Sequence, residues 1–292
     1  MKDRNRFWWT GLILGAVLAT TTIARTCHSQ HNATTSMVPL DELLLFFPAK
    51  FPEGDWQPEG ETFEDVTFQA EDGTQLHGWY CPCEEPRGVL LLAHGNAGNI
   101  ATRVDWIRYL QRKARLSVFA FDYRGYGKSE GKPSVKGVLQ DATAARAKLC
   151  ELAKVNDSDV ILMGESLGGA VATALAAQAK PRALILQSTF PSLREVAAVH
   201  YPRLAWLVSR SKLDSVTAIA QYQGPLLQSH GNADRTIPIA LAEKLFQAAN
   251  QPKQWVTIDN AGHNNWITGE YLQQLDRFLD SLPAPPQKQD SK

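Results

Sequence analysis

Residues Val160–Gly169 read VILMGESLGG: an apolar run, then a Gly-x-Ser-x-Gly turn. The run VILM suits a strand buried on both faces. A helix-like stretch, Leu167 to Ala179, opens directly behind the serine. The pentapeptide alone is a weak signal. Set between strand and helix, it has the context of a nucleophile elbow. Its glycines permit a tight turn and a close helix–strand approach. Ser166 then stands at the carboxyl edge of a sheet. The adjacent helix N-terminus favours developing negative charge there.

The same rhythm extends outward. Val89 to Ala93, Ser117 to Phe121, Ala183 to Leu186, Pro225 to Gln228 and Trp255 to Ile258 are short apolar runs. Helix-like stretches lie between most of them, at about 100–113, 134–154, 239–249 and 265–282. This alternation predicts an α/β protein with a mostly parallel sheet and helices on both faces. Thr62 to Gln69 and Gln75 to Tyr80 flank a turn containing Asp72-Gly73, a hairpin signal. The segment from about 189 to 222 breaks the rhythm and predicts a small helical insertion.

A serine hydroxyl needs a base, and the base needs an acid behind it. In an elbow protein these follow in the order Ser, Asp/Glu, His. Asp234 lies in HGNAD (His230–Asp234) and His263 in NAGHN (Asn260–Asn264), after the last two strand-like runs. Both are expected at the same sheet edge as Ser166. Ser166, Asp234 and His263 are therefore the candidate catalytic residues. The oxyanion donors are expected to be the backbone N–H groups of Leu167 and Asn96, the latter in HGNAGN (His94–Asn99). Asp259 competes with Asp234, but only four residues before His263 its reach back is cramped. Asp122 reads as loop-stabilising, Glu165 as facing away from substrate, and His77, His94 and His230 as structural.

With these motifs in place, the chain resembles the α/β-hydrolase superfamily. It is most similar to abhydrolase-domain serine hydrolases, the branch that includes esterases, acyl-protein thioesterases and serine-aminopeptidase-like proteins. HGNAGN, FDYRGYGKSEG (Phe121–Gly131), GESLGG, HGNAD and AGHN occur in family order across about 43–282. The resemblance implies an eight-stranded, mostly parallel sheet, hydrolysis of an acyl bond, and Ser166, Asp234 and His263 as the triad. It makes the 189–222 insertion a small cap. Asn265 departs from the acidic residue relatives often carry there.

Other residues carry plainer readings. Cys81-Pro82-Cys83 has neither zinc nor redox spacing. Those two are either a small strained ring or free thiols, and Cys150 reads as core. Tyr201, Trp206 and Leu207 either line an acyl pocket or form the cap's own core. No metal or cofactor motif is present: there is no H-E-x-x-H, no G-x-G-x-x-G and no Gly-Lys-Ser/Thr.

The 292 residues carry 30 Lys+Arg and 30 Asp+Glu, with 44% hydrophobic residues. That composition excludes a disordered chain and gives no support to a nucleic-acid partner. The neutrality is uneven. Lys2, Arg4, Arg6 and Arg25 against Asp3 give residues 1–36 a charge of +3. Lys288 and Lys292 against Asp290 give residues 283–292 a charge of +1, leaving −4 for 37–282. The positive start precedes Phe7–Ala24, an uncharged run of membrane-span length with Trp8 and Trp9 at its edge. Residues 1–36 are read as a signal anchor or a cleaved signal peptide plus linker, with everything after Arg25 outside the cytoplasm. Residues 37–282 are read as the catalytic domain and 283–292 as a disordered tail. The expected activity is cleavage of an ester or thioester in a small-molecule or lipid-like substrate. Amide hydrolysis is the alternative, and a non-catalytic membrane-tethered binding module the competing class.

Overall fold

Ten strands and seven α-helices alternate along the computed structural model, which describes residues 45–61, 63–209 and 212–283. The strands are β1 (Phe47–Pro48), β2 (Glu64–Gln69), β3 (Gln75–Cys81), β4 (Gly88–Ala93), β5 (Ala97–Gly98), β6 (Leu116–Asp122), β7 (Val160–Glu165), β8 (Ala183–Gln187), β9 (Leu226–Gly231) and β10 (Lys253–Ile258). The helices are α1 (Val104–Arg112), α2 (Val135–Ala153), α3 (Leu167–Ala179), α4 (Leu193–His200), α5 (Ser215–Ile219), α6 (Ile239–Ala248) and α7 (Gly269–Ser281). The expected leader and all of the expected tail after Pro283 lie outside the described residues. Among the described residues no helix is long and apolar enough to cross a membrane.

Eight strands form one sheet in the order β10-β9-β8-β7-β4-β6-β3-β2. From β10 to β6 the pairing is parallel; β3 runs antiparallel to β6, and β2 pairs antiparallel with β3 as the hairpin signal predicts. After β4 the chain moves to one side to make β6, then returns past β4 to make β7. Strand order reverses between these two connections, and in open α/β sheets a crevice opens at the carboxyl ends of such strands. The loops after β4 and β7 both end there.

Alternation of side chains explains why the central strands are apolar throughout. Leu91 of β4, Phe119 of β6 and Leu162 of β7 pack on one face, under α2 and α3. Leu90, Val118 and Ile161 pack on the other, under α1 and α7.

Several element boundaries differ from the sequence reading, three of them by three residues or more or by a split, each for a local reason. The expected helix over 100–113 is split into a 3-10 turn, Ile100–Thr102, and α1. Arg103 between them, at φ −116 and ψ 10, leaves helical geometry. The last helix starts at Gly269 rather than 265, because Thr268 caps it by accepting from Tyr271 N–H. The strand expected over 225–228 continues to Gly231, since β10 pairs with it up to Ile258. Cys81 and Cys83 are free thiols rather than a ring.

A buried ion pair sets the turn after β6. The Arg124 guanidinium donates to Asp141 Oδ1 from Nε at 2.9 Å and Nη2 at 2.8 Å, and to Asp72 from Nη1 at 2.7 Å. Asp141 is completely buried. Removing one partner of a buried pair leaves the other charge uncompensated and typically costs about 3–5 kcal/mol. Asp141→Ala is expected near the low end, about 3 kcal/mol, because Asp72 still faces Arg124. Urea unfolding of the variant checks this, and a loss under about 1 kcal/mol would contradict it.

Candidate active site

The elbow is built as its sequence requires. Ser166 sits between β7 and α3 at φ 53, ψ −115, a region side chains avoid. A Cβ on Gly164 would run into the Gly168 carbonyl, and one on Gly168 into the Ala93 carbonyl of β4. Only glycine at those positions lets the turn close and α3 lie against the sheet. Ser166 N–H donates to Gln187 O at 2.9 Å, and Thr189 Oγ1 donates to Ser166 O at 2.8 Å. The end of β8 thus holds both backbone groups of the strained residue.

His263 and Asp234 reach the same edge from the loops after β10 and β9. Ser166 Oγ lies 3.1 Å from His263 Nε2, and His263 Nδ1 lies 2.7 Å from Asp234 Oδ2. A carboxylate only accepts, so it selects the imidazole tautomer with its proton on Nδ1. That leaves Nε2 to accept from the serine hydroxyl. The other carboxylate oxygen, Oδ1, accepts from Thr236 N–H at 2.8 Å and Ile237 N–H at 2.9 Å. His230 Nε2, which donates to Ile237 O at 2.8 Å, is also 3.2 Å from Asp234 Oδ2. Burial opposes the charged form of Asp234, but the hydrogen bonds from His230 and His263 outweigh it and hold the carboxyl well below the usual range.

Asp259 is not part of this relay: its carboxylate accepts from Asn232 Nδ2 at 2.8 Å. Asn265 accepts from Gly262 N–H with its side chain, which shapes the turn carrying His263.

The loop after β4 is fixed from several sides. Asn96 Nδ2 donates to Leu45 O at 2.9 Å, while Asn96 O accepts from Phe47 N–H at 2.9 Å and Tyr126 Oη at 2.7 Å. Tyr123 Oη donates to His94 O at 3.0 Å. Among the described residues the backbone N–H groups of Asn96 and Leu167 donate to no other backbone group. Leu167 opens α3, so its N–H has no helical acceptor. Asp122 is fully buried and accepts from Ile100 N–H at 2.9 Å, a loop-stabilising contact.

Three contributors escape sequence reasoning. Arg103 donates to Ala97 O at 3.3 Å and lies 3.6 Å from the Glu165 carboxylate, tying the β4 loop to the elbow. Glu165 is engaged there. The other two are Tyr123 and Tyr126. FDYRGYGKSEG marked their segment, but nothing in its spacing says that two phenols reach back to His94 and Asn96. The insertion between β8 and β9, expected as a cap, consists of α4, the 3-10 turn Ala205–Leu207 and α5. Tyr201 is 42%, Trp206 66% and Leu207 53% exposed, so they do not form the cap's own core.

Comparison with known proteins fits this geometry. A family model described as alpha/beta hydrolase fold matches residues 88–210. The uncharacterized protein Rv2307c of Mycobacterium tuberculosis is 39% identical over 228 residues, covering 76% of this chain and 80% of that protein. The alpha/beta hydrolase domain-containing protein WAV2 of Arabidopsis thaliana is 33% identical over 253 residues, covering 78% and 82%. Among solved structures, the Pyrococcus furiosus esterase Pf2001 superposes with a TM-score of 0.68 at 21% identity, over 82% of this chain and 97% of that one. Sheet order, elbow and kinship agree: the chain belongs to the α/β-hydrolase family.

Proposed function

We propose that the protein is a serine hydrolase cleaving a carboxylic ester or thioester through an acyl-enzyme. The observation that carries this reading is the unbroken relay from Ser166 Oγ through His263 to Asp234, with contacts of 3.1 and 2.7 Å. Ser166 Oγ attacks the acyl carbon while its proton passes to His263 Nε2. The carbonyl electron pair moves onto oxygen, where the Leu167 and Asn96 N–H groups receive it. As the tetrahedral adduct collapses, the alcohol or thiol leaves with the proton from His263. A water then repeats the sequence against the acyl-serine, returning Ser166 and releasing the acid. Asp234 stays ionised and stabilises the transient imidazolium.

An ester or thioester is favoured because its leaving group departs more easily than an amine, and because esterases stand among the structural neighbours. A panel of acyl esters, acyl thioesters and aminoacyl amides, run with wild type and Ser166→Ala, tests the reading. Turnover of amides alone would move the protein to the peptidase class. No turnover together with no fluorophosphonate labelling would make it a binding module.

We further infer an extracytoplasmic location, anchored or exported through residues 1–36. The support is the sequence alone: three cations followed by the uncharged run Phe7–Ala24. Recovery of the full-length chain in the cytoplasmic soluble fraction would sink this.

A further inference from the structure

Eight large hydrophobic side chains are exposed among the described residues: Phe47, Phe51, Val199, Tyr201, Leu204, Trp206, Leu207 and Ile267. Their distribution is one-sided. Phe47 lies in β1, which pairs with β5 in the loop after β4. Phe51 N–H donates to Gly127 O, in the turn after β6. Ile267 follows His263 in the loop after β10. The other five lie in the cap, which follows β8, and His200 there donates to Thr236 O at 2.7 Å, beside Asp234. All eight therefore sit on segments at the carboxyl edge of the sheet, around the Ser166 relay. Five of them fall within the nine residues Val199 to Leu207, and a local apolar cluster of this kind marks an interaction face.

The densest part is Val199 to Leu207, where Leu204 is 54% and Trp206 66% exposed. Trp206 Nε1 donates to Arg203 O at 3.0 Å, so its polar atom is satisfied while the ring stays open. Residues 196–213 contain no acidic side chain; Arg203, Arg210 and Lys212 are their only formally charged residues. That holds inside a 37–282 segment whose net charge is −4. An aromatic and two leucines beside an exposed arginine have the composition of an interfacial lipid contact. The point of chain entry agrees. Residues 1–44, with the apolar run Phe7–Ala24, join the domain at Leu45, whose carbonyl is bonded to Asn96 on this same edge.

We propose that the carboxyl edge, led by Leu204, Trp206 and Leu207 with Arg203, docks on a bilayer bearing anionic headgroups. Lipid binding by the patch stands independently of the activity. That the docked face opens the Ser166 site toward acyl groups at the bilayer surface rests on the serine-hydrolase reading.

The test uses the full chain with vesicles of phosphatidylcholine, with or without phosphatidylglycerol, doped with a diazirine-bearing phospholipid. After irradiation, labelled peptides are mapped by mass spectrometry. The peptide containing 199–207 is expected to be labelled, about fivefold more with phosphatidylglycerol than without for each cation engaged. The excess should shrink in high salt. The triple variant Leu204→Ser, Trp206→Ser, Leu207→Ser should lose at least about nine-tenths of that label, since most of the apolar contact is gone. Arg203→Glu should lose the phosphatidylglycerol preference. Circular dichroism and the urea-unfolding midpoint serve as folding controls in every variant, and fluorophosphonate labelling of Ser166 reports separately on the hydrolase reading. Label confined to residues 1–44, or a 199–207 segment cross-linked to a second copy instead of lipid, would overturn the proposal. Lipid label at 199–207 with no fluorophosphonate label anywhere would retain the docking face and discard the hydrolase reading.

Discussion

Ser166→Ala is expected to lower kcat by about 10,000- to 1,000,000-fold and to abolish fluorophosphonate labelling, with the fold intact. The size follows from what is removed. In the proposed mechanism no covalent intermediate forms without Oγ, and His263 has no proton to take from position 166. The oxyanion donors and substrate contacts survive, so a residual acceleration over water remains. A loss of tenfold or less would show that chemistry occurs elsewhere. The same position yields a stability result. Ser166 is held at φ 53, a backbone strained for any residue with a Cβ. Such strain costs about 1–3 kcal/mol. Ser166→Ala keeps the Cβ and keeps the strain. Ser166→Gly releases it, against about 0.5–1 kcal/mol of extra chain entropy in the unfolded state. The glycine variant should therefore be the more stable of two inactive proteins by about 1 kcal/mol, a difference of several degrees at most in Tm. Equal melting points would mean that the elbow stores no more strain than the glycine entropy offsets, about 0.5–1 kcal/mol.

That strained serine also shows what a sequence makes legible. VILMGESLGG is local: strand, turn and helix are encoded within ten consecutive residues. The apolar runs are as readable, because strands buried on both faces must be apolar at every position. The order Ser166, Asp234, His263 follows from where their loops fall, and the structure brings the three within hydrogen-bond distance. What stayed hidden is long-range and polar. Arg103 lies 62 positions before the Glu165 it faces, and Tyr126 lies 30 after the Asn96 carbonyl it holds. Neither pairing leaves a periodic trace in the chain. The role of the apolar residues in the 189–222 insertion was hidden for another reason. Its hydrophobic composition predicts either pocket or core, and only the exposure of Trp206 separates a core residue from a surface one. The helix start at Val104 depends on the non-helical backbone of Arg103 and that at Gly269 on the Thr268 cap, which composition over a window does not resolve.

Asp234→Asn is the second large effect: about 10,000-fold in kcat, with the backbone unchanged. The carboxylate accepts from His263 Nδ1 at 2.7 Å and from the Thr236 and Ile237 N–H groups at 2.8 and 2.9 Å. An asparagine side chain has one acceptor oxygen. If that oxygen keeps the two backbone donors, the NH₂ faces His263 and His230, where donors already point. His263 then moves its proton to Nε2, the atom that receives the Ser166 proton in the proposed mechanism. The base is present but in the wrong tautomer, which is why a near-isosteric change costs so much. Stability carries a second signature. The Asp234 carboxyl is held well below the ordinary carboxylate range. A depressed folded-state value contributes stability above the unfolded-state pKa of about 3.9, which is lost as pH falls through the folded value. Wild type should exceed Asp234→Asn in stability above about pH 5. The gap should narrow below about pH 4, where only the unfolded wild-type chain takes up a proton at this site. Urea unfolding at a series of pH values measures it. A gap that widened on acidification would mean that Asp234 is protonated in the folded protein, and a protonated acid there could not hold His263 in the tautomer the relay needs.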